Sequence, residues 1–129
     1  MKRVCLAAFA AVLAAFALPA SAQVMSQSQA QSLLRGFTVD GRSDRLGGAG
    51  TFAFNHDGTL AIELRAPDRS RIRGRGTYRF ANGGFCATAP LLGAGERCFT
   101  LRRASRREVH IIAPDGSLEA VLTTEATGP

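Results

Sequence analysis

The sequence predicts an all-β fold, an antiparallel meander of about eight short strands forming a small barrel, with one short helix ahead of it. Three observations carry this expectation. From residue 36 onward, apolar, aromatic and β-branched residues alternate with polar ones at the period of two that a half-buried strand requires. Turn chemistry interrupts the alternation at His56-Asp57-Gly58, Ala66-Pro67-Asp68, Ala81-Asn82-Gly83-Gly84 and Pro114-Asp115-Gly116, where residues tolerate positive φ or pre-set a bend. These connections are short, so consecutive strands pair antiparallel, and so many short strands favour a curved sheet that closes and removes its own edges. A two-sheet β-sandwich is the alternative arrangement.

The first segment reads as an export leader. Lys2 and Arg3 precede an apolar run from Val4 to Leu18, which falls short of the roughly 20 residues a membrane-spanning helix needs and ends at Pro19. Ala20-Ser21-Ala22 supplies the small residues that a signal peptidase recognises, which places cleavage before Gln23 and assigns residues 1–22 to a signal peptide. Cys5 lies at the start of the apolar run rather than just after it, which argues against lipid attachment. Nothing downstream is apolar enough to span a bilayer by a helix, so a bacterial periplasmic or secreted protein is expected. Beyond the leader the basic residues are all arginines, fourteen of them, set against ten acids.

Residues 23–35 read as a polar arm or short helix, with Ser28 and Gln31 spaced as a capping box and Ala30, Leu33 and Leu34 as its apolar patch. Residues 36–129 form the single β domain. Its strands are expected at 36–40, 50–55, 59–65, 71–80, 84–88, 97–103, 108–113 and 117–123, in the up-and-down order of a lipocalin-like barrel. Alternation points Phe52, Phe54, Leu60, Ile62, Leu64, Ile72, Tyr78, Phe80, Phe85, Phe99, Leu101, Val109, Ile111, Leu118, Ala120 and Leu122 inward. Gly47-Gly48-Ala49-Gly50 is followed by a strand rather than a helix, so it lacks the helix N-terminus of a phosphate loop and reads as a flexible approach to the second strand.

The segment from Arg71 to Phe80 has two unlike faces. Arg71, Arg73, Arg75, Thr77 and Arg79 point one way, and Ile72, Gly74, Gly76, Tyr78 and Phe80 the other, which makes an arginine ladder backed by a core face. The ladder is either a solvated wall, neutralised by Glu63 or Asp68, or an anion site that Arg65, Arg69, Arg102, Arg103, Arg106 and Arg107 extend if their strands lie nearby. Gly74 and Gly76 leave two inner positions without side chains, so that the strand can coil or a large residue such as Phe52 or Phe99 can pack over them, the alternative being a cavity for an apolar ligand. Tyr78 and Phe80 lie on the face opposite the arginines, so no aromatic stacking platform accompanies the charge and nucleic acid is not an expected partner.

Cys86 and Cys98 enclose residues 87–97, which contain Pro90, Gly93 and Gly95. In an exported chain this pair is expected to form one disulfide, with Phe85 and Phe99 on one side of the paired strands and the sulfurs on the other. The spacing is not that of a redox or zinc pair, and no histidine cluster accompanies it, so no metal or cofactor is expected. No catalytic constellation emerges. His56 lies in a turn and His110 on a strand, neither beside a nucleophile, and no Gly-x-Ser-x-Gly elbow activates a serine.

Gly50-Thr51-Phe52, Asp57-Gly58-Thr59, the run from Arg73 to Tyr78, Gly84-Phe85-Cys86 and Glu96-Arg97-Cys98-Phe99 together resemble small exported proteobacterial proteins of uncharacterised function. That group shares an Asp-Gly-Thr turn, a Gly-Thr-aromatic strand and two late cysteines, and the resemblance implies no activity. The lysozyme inhibitors among small stapled periplasmic barrels carry a serine-glycine-tyrosine loop that this chain lacks.

The functional expectation is a non-enzymatic binding module. Its site is Arg71, Arg73, Arg75 and Arg79, and its partner an anionic envelope lipid, polysaccharide or acidic protein. The alternatives are a structural or stress-response envelope protein, and a hydrolase using His56 or His110.

Overall fold

The computed structural model describes residues 24–124, so the signal peptide expected over residues 1–22 lies outside the described residues. Helix α1 (Gln27–Leu34) opens the described chain. Its capping box uses Ser26 and Gln29 rather than Ser28 and Gln31: the Ser26 hydroxyl accepts from the Gln29 amide at 3.1 Å, and the Gln29 side chain accepts from the Ser26 amide at 2.9 Å. The same four-residue spacing occurs twice, two residues apart. The earlier copy caps because it places Ala30 and Leu34, both fully buried, on the barrel.

Eight strands follow: β1 (Phe37–Ser43), β2 (Gly48–Phe54), β3 (Thr59–Arg65), β4 (Arg71–Ala81), β5 (Gly84–Thr88), β6 (Glu96–Arg103), β7 (Glu108–Ile112) and β8 (Leu118–Thr123). Each pairs antiparallel with its neighbour, and β8 returns to β1 through Asp40–Thr123, Gly41–Leu122 and Arg42–Val121, closing the barrel. The sandwich is thereby set aside. Gly48 and Gly50 belong to β2 rather than to a flexible approach, and a Cβ on Gly50 would collide with the Glu63 carbonyl across the sheet.

The interior follows the alternation with three exceptions. Phe54, Leu60, Ile62, Leu101, Val109 and Leu122 are at most 2 % exposed and fill the centre, with Phe54 edge-on to both Tyr78 and Phe85. Ile72 and Phe80 are only half-buried, because they sit towards the two ends of the long β4. Leu118 is 47 % exposed instead of inward. The cause is a β-bulge: Ile111 pairs with Ala120 while Ile112 pairs with Leu118, which leaves Glu119 as the extra residue and turns Leu118 out and Glu119 in.

Three turns share one construction. In 55–59, 66–70 and 113–117 the first amide donates to the fifth carbonyl and the fourth amide to the first carbonyl. The third residue, Asp57, Asp68 or Asp115, accepts both the amide and the hydroxyl of the fifth. Those hydrogen bonds, the hydroxyl first, hold all three carboxyls below the usual aspartate range. Their stabilisation is therefore present above the ordinary carboxyl pKa and is lost as pH falls through the lowered values. The fourth position is left-handed in each, at φ 88° for Gly58, 74° for Arg69 and 90° for Gly116.

The barrel is stopped at both ends. α1 covers the end where β1 begins. At the other end the β5–β6 connection folds inward as a short 3-10 turn (Pro90–Leu92), with Leu92 buried. Gly74 and Gly76 make room for it: a Cβ on Gly74 would lie 2.7 Å from Leu91 Cβ, and one on Gly76 would strike the Thr88 carbonyl and Ala89. The glycines therefore admit the connection, not Phe52 or Phe99. What remains of the lumen is about 10 Å3, which is no larger than one water molecule requires. A Gly76→Val variant is expected to lose about 1–3 kcal/mol by overpacking against a backbone carbonyl, read as a lowered urea midpoint at unchanged m-value.

Candidate functional site

Cross-strand register builds the arginine wall. On the outer face Arg71 lies directly opposite Arg65, Arg73 opposite Glu63, Arg75 opposite Ala61, and Thr77 opposite Thr59. The next strand carries only small residues there, with Ala49 beside Arg65, Thr51 beside Glu63 and Ala53 beside Ala61. The result is a shallow depression of about 310 Å3 lined by Ala49, Gly50 and Thr51 on one side and by Arg65, Arg71 and Arg73, with Glu63 among them, on the other.

The four ladder residues are all exposed, but they are not equivalent. Arg79 forks onto Glu96, with Nε to Oε2 at 2.9 Å and Nη2 to Oε1 at 3.1 Å, over the paired cysteines of β5 and β6. The hydrogen bond raises the Arg79 pKa and holds the Glu96 carboxyl below its usual range. Among the described residues no carboxylate lies within 4.0 Å of Arg65, Arg69, Arg71, Arg73 or Arg75. Asp68, in the middle of this cluster, is committed to Ser70. Glu63 faces Arg73 without pairing to it. Neither acid forms an ion pair with the ladder, and their two negative charges only partly offset the five guanidinium groups of Arg65, Arg69, Arg71, Arg73 and Arg75. Like charges directly opposite on a sheet repel, so the Arg65–Arg71 pair costs stability that a bound anion would recover.

The remaining arginines do not extend this wall. Arg102 and Arg103 end β6 at the α1 side of the barrel, with Arg106 and Arg107 in the turn beyond, where Arg103 Nη1 donates to the Arg106 carbonyl at 3.1 Å. They lie at the opposite end of the barrel from the β3–β4 turn and two strands away from β4.

A second charged cluster escaped the sequence reading. Glu119, 3 % exposed, receives Arg45 Nε and Nη2, both at 2.7 Å, and Arg97 Nη1 lies 3.7 Å from its other oxygen. Both guanidinium groups also donate to the Leu92 carbonyl, at 3.3 and 2.7 Å, and the Ser43 hydroxyl donates to the Glu119 carbonyl at 2.7 Å. The cluster clamps the inward-folded connection into the barrel mouth. Only the bulge makes it possible, and a bulge leaves no mark on a period-two pattern.

Cys86 and Cys98 are directly opposite in the β5–β6 register and joined as a disulfide, with Phe85 and Phe99 on the inner side at 5.3 Å between ring centroids. Glu96 stands close to both sulfurs, but a disulfide offers no thiolate to a metal.

The histidines are far apart in role. His56 rests its ring on the Gly36 backbone, where a Cβ would collide with the imidazole. It lines a cleft of about 230 Å3 with Arg35, Tyr78 and Arg79. Tyr78 donates its hydroxyl to the Asn55 carbonyl at 2.8 Å, and burial raises its pKa. His110 is half-buried on the outer wall, with Nε2 4.0 Å from Glu108 Oε1. Among the described residues neither histidine hydrogen-bonds to a serine or threonine hydroxyl. Comparison with protein-family models, curated proteins and solved structures returns no match.

Proposed function

We propose that the protein is an exported, non-enzymatic binding module of the periplasm or the secreted fraction, and that the outer wall of β3 and β4 holds an anionic envelope partner. One observation carries the reading: five exposed arginines, Arg65, Arg69, Arg71, Arg73 and Arg75, form no ion pair within 4.0 Å among the described residues and outnumber the two acids beside them, Glu63 and Asp68, next to a wall of small side chains. The leader read from residues 1–22 and the disulfide, which is at home in an oxidising compartment, support the location. The filled lumen leaves the outer surface as the place for recognition.

The test is charge reversal. Arg73→Glu with Arg75→Glu is expected to abolish retention on anionic envelope material, and with it the salt sensitivity of that retention. The thermal midpoint should stay nearly unchanged, because exposed charges contribute little to stability. Retention of the folded double variant at the level of the unaltered protein contradicts the reading and returns the wall to a solubilising role.

A further inference from the structure

The chain builds the same five-residue turn three times, and at one of them it departs from what the fold prefers. The turn at 66–70 reads Ala-Pro-Asp-Arg-Ser and the one at 113–117 reads Ala-Pro-Asp-Gly-Ser, with the same two backbone and two side-chain hydrogen bonds. Glycine fills the left-handed fourth position at 58 and 116, but Arg69 fills it at φ 74°. An L-residue with a Cβ is disfavoured there, and the cost is avoidable, since the chain uses glycine in the two sister turns. Backbone strain of this kind concentrates where a side chain has work to do.

The side chain placed there is a third guanidinium on one hairpin tip. Arg65 ends β3, Arg71 begins β4 directly opposite it, and Arg69 lies in the turn that joins them, all exposed. Asp68 accepts from Ser70 and makes no ion pair with any of them, so its single negative charge leaves the three guanidinium groups in excess. Guanidinium groups from three points of one tip suit a tetrahedral dianion, whose three free oxygens accept several forks at once, better than a carboxylate, which is satisfied by a single fork. We infer that Arg65, Arg69 and Arg71 form a phosphomonoester site at the β3–β4 tip, an inference that rests on the anion-binding reading of the wall and narrows it to one ligand chemistry.

The test uses Arg69→Gly, which restores the sister-turn sequence. With the strain removed, the variant is expected to melt about 2–4 °C higher. Its affinity for phosphatidylcholine vesicles doped with phosphatidic acid should fall about fivefold, the loss expected for one basic residue at an anionic bilayer. The control Gly116→Arg, at the sister turn, should melt lower and gain no affinity. Unaltered protein should prefer phosphatidic acid to phosphatidylglycerol vesicles of equal surface charge, and inorganic phosphate should compete. Binding to inorganic phosphate without vesicle retention supports the same site with a soluble phosphate as its ligand. Equal binding to both lipids, or undiminished binding by Arg69→Gly, overturns the inference. If Arg73→Glu/Arg75→Glu still abolishes retention in that case, the wall stands and only the tip site fails; if neither variant changes binding, both readings fall.

Discussion

Replacing Cys86 and Cys98 together with serine is expected to lower the unfolding free energy by about 2–4 kcal/mol, the largest effect anticipated for any change in this barrel. The bond closes a sequence separation of 12, for which constraint of the unfolded chain alone contributes about 3 kcal/mol. The segment it closes is also the one that stops the barrel mouth, with Leu92 buried and Leu91 over Gly74. Releasing its base loosens a packed plug as well as a loop. Urea denaturation of oxidised protein against the double serine variant checks this, and a loss below about 1 kcal/mol contradicts the assigned role.

Arg45→Ala is expected to cost about 2–3 kcal/mol. It removes two short contacts from Glu119 and leaves that carboxylate, 4 % exposed, with Arg97 at 3.7 Å as its remaining cationic partner. Stranding one half of a buried pair typically costs about 3–5 kcal/mol, but the Arg45 side chain is 44 % exposed, so solvent screening brings the expectation to the lower end of that range or just beneath it. The variant also frees one donor from the Leu92 carbonyl, so hydrogen exchange in 90–95 should quicken with the loss of stability. Replacing both partners, Arg45→Met with Glu119→Leu, should recover most of the deficit, because an apolar pair needs no desolvation. A double-mutant cycle with no coupling between Arg45 and Glu119 contradicts the clamp.

The barrel, its antiparallel strand order and most of its inward faces were legible because they depend on local, periodic information. Strand β3 and β5 bounds follow directly from the turns on either side, and Arg71, Arg73, Arg75 and Arg79 share the outer face because β4 alternates without a bulge. The disulfide was legible for the same reason, since Phe85 and Phe99 fix the face on which Cys86 and Cys98 meet. The rest depended on features without period. The bulge in β8 turned Leu118 out and Glu119 in, and Glu119 then drew in Arg45 and Arg97, whose positions in the chain give no hint of a shared partner. Gly74 and Gly76 announced a close approach, but what approaches is the β5–β6 connection, which only the closed barrel brings there. The extension of the ladder to Arg102, Arg103, Arg106 and Arg107 failed because charge count in sequence does not say which end of a barrel a turn occupies. Arg69 gained its meaning only once three turns of the same hydrogen-bond pattern could be compared.

The central claim is that anion binding belongs to the β3–β4 wall, and amide chemical-shift mapping during titration with an anionic phospholipid headgroup tests it most directly. The account predicts the largest shifts at Arg65 and across 69–75, with smaller ones at 49–51 on the neighbouring strand. Shifts centred instead on 102–107 at the opposite end, on the cleft of Arg35 and His56, or on the inward-packed residues 90–92 would contradict it.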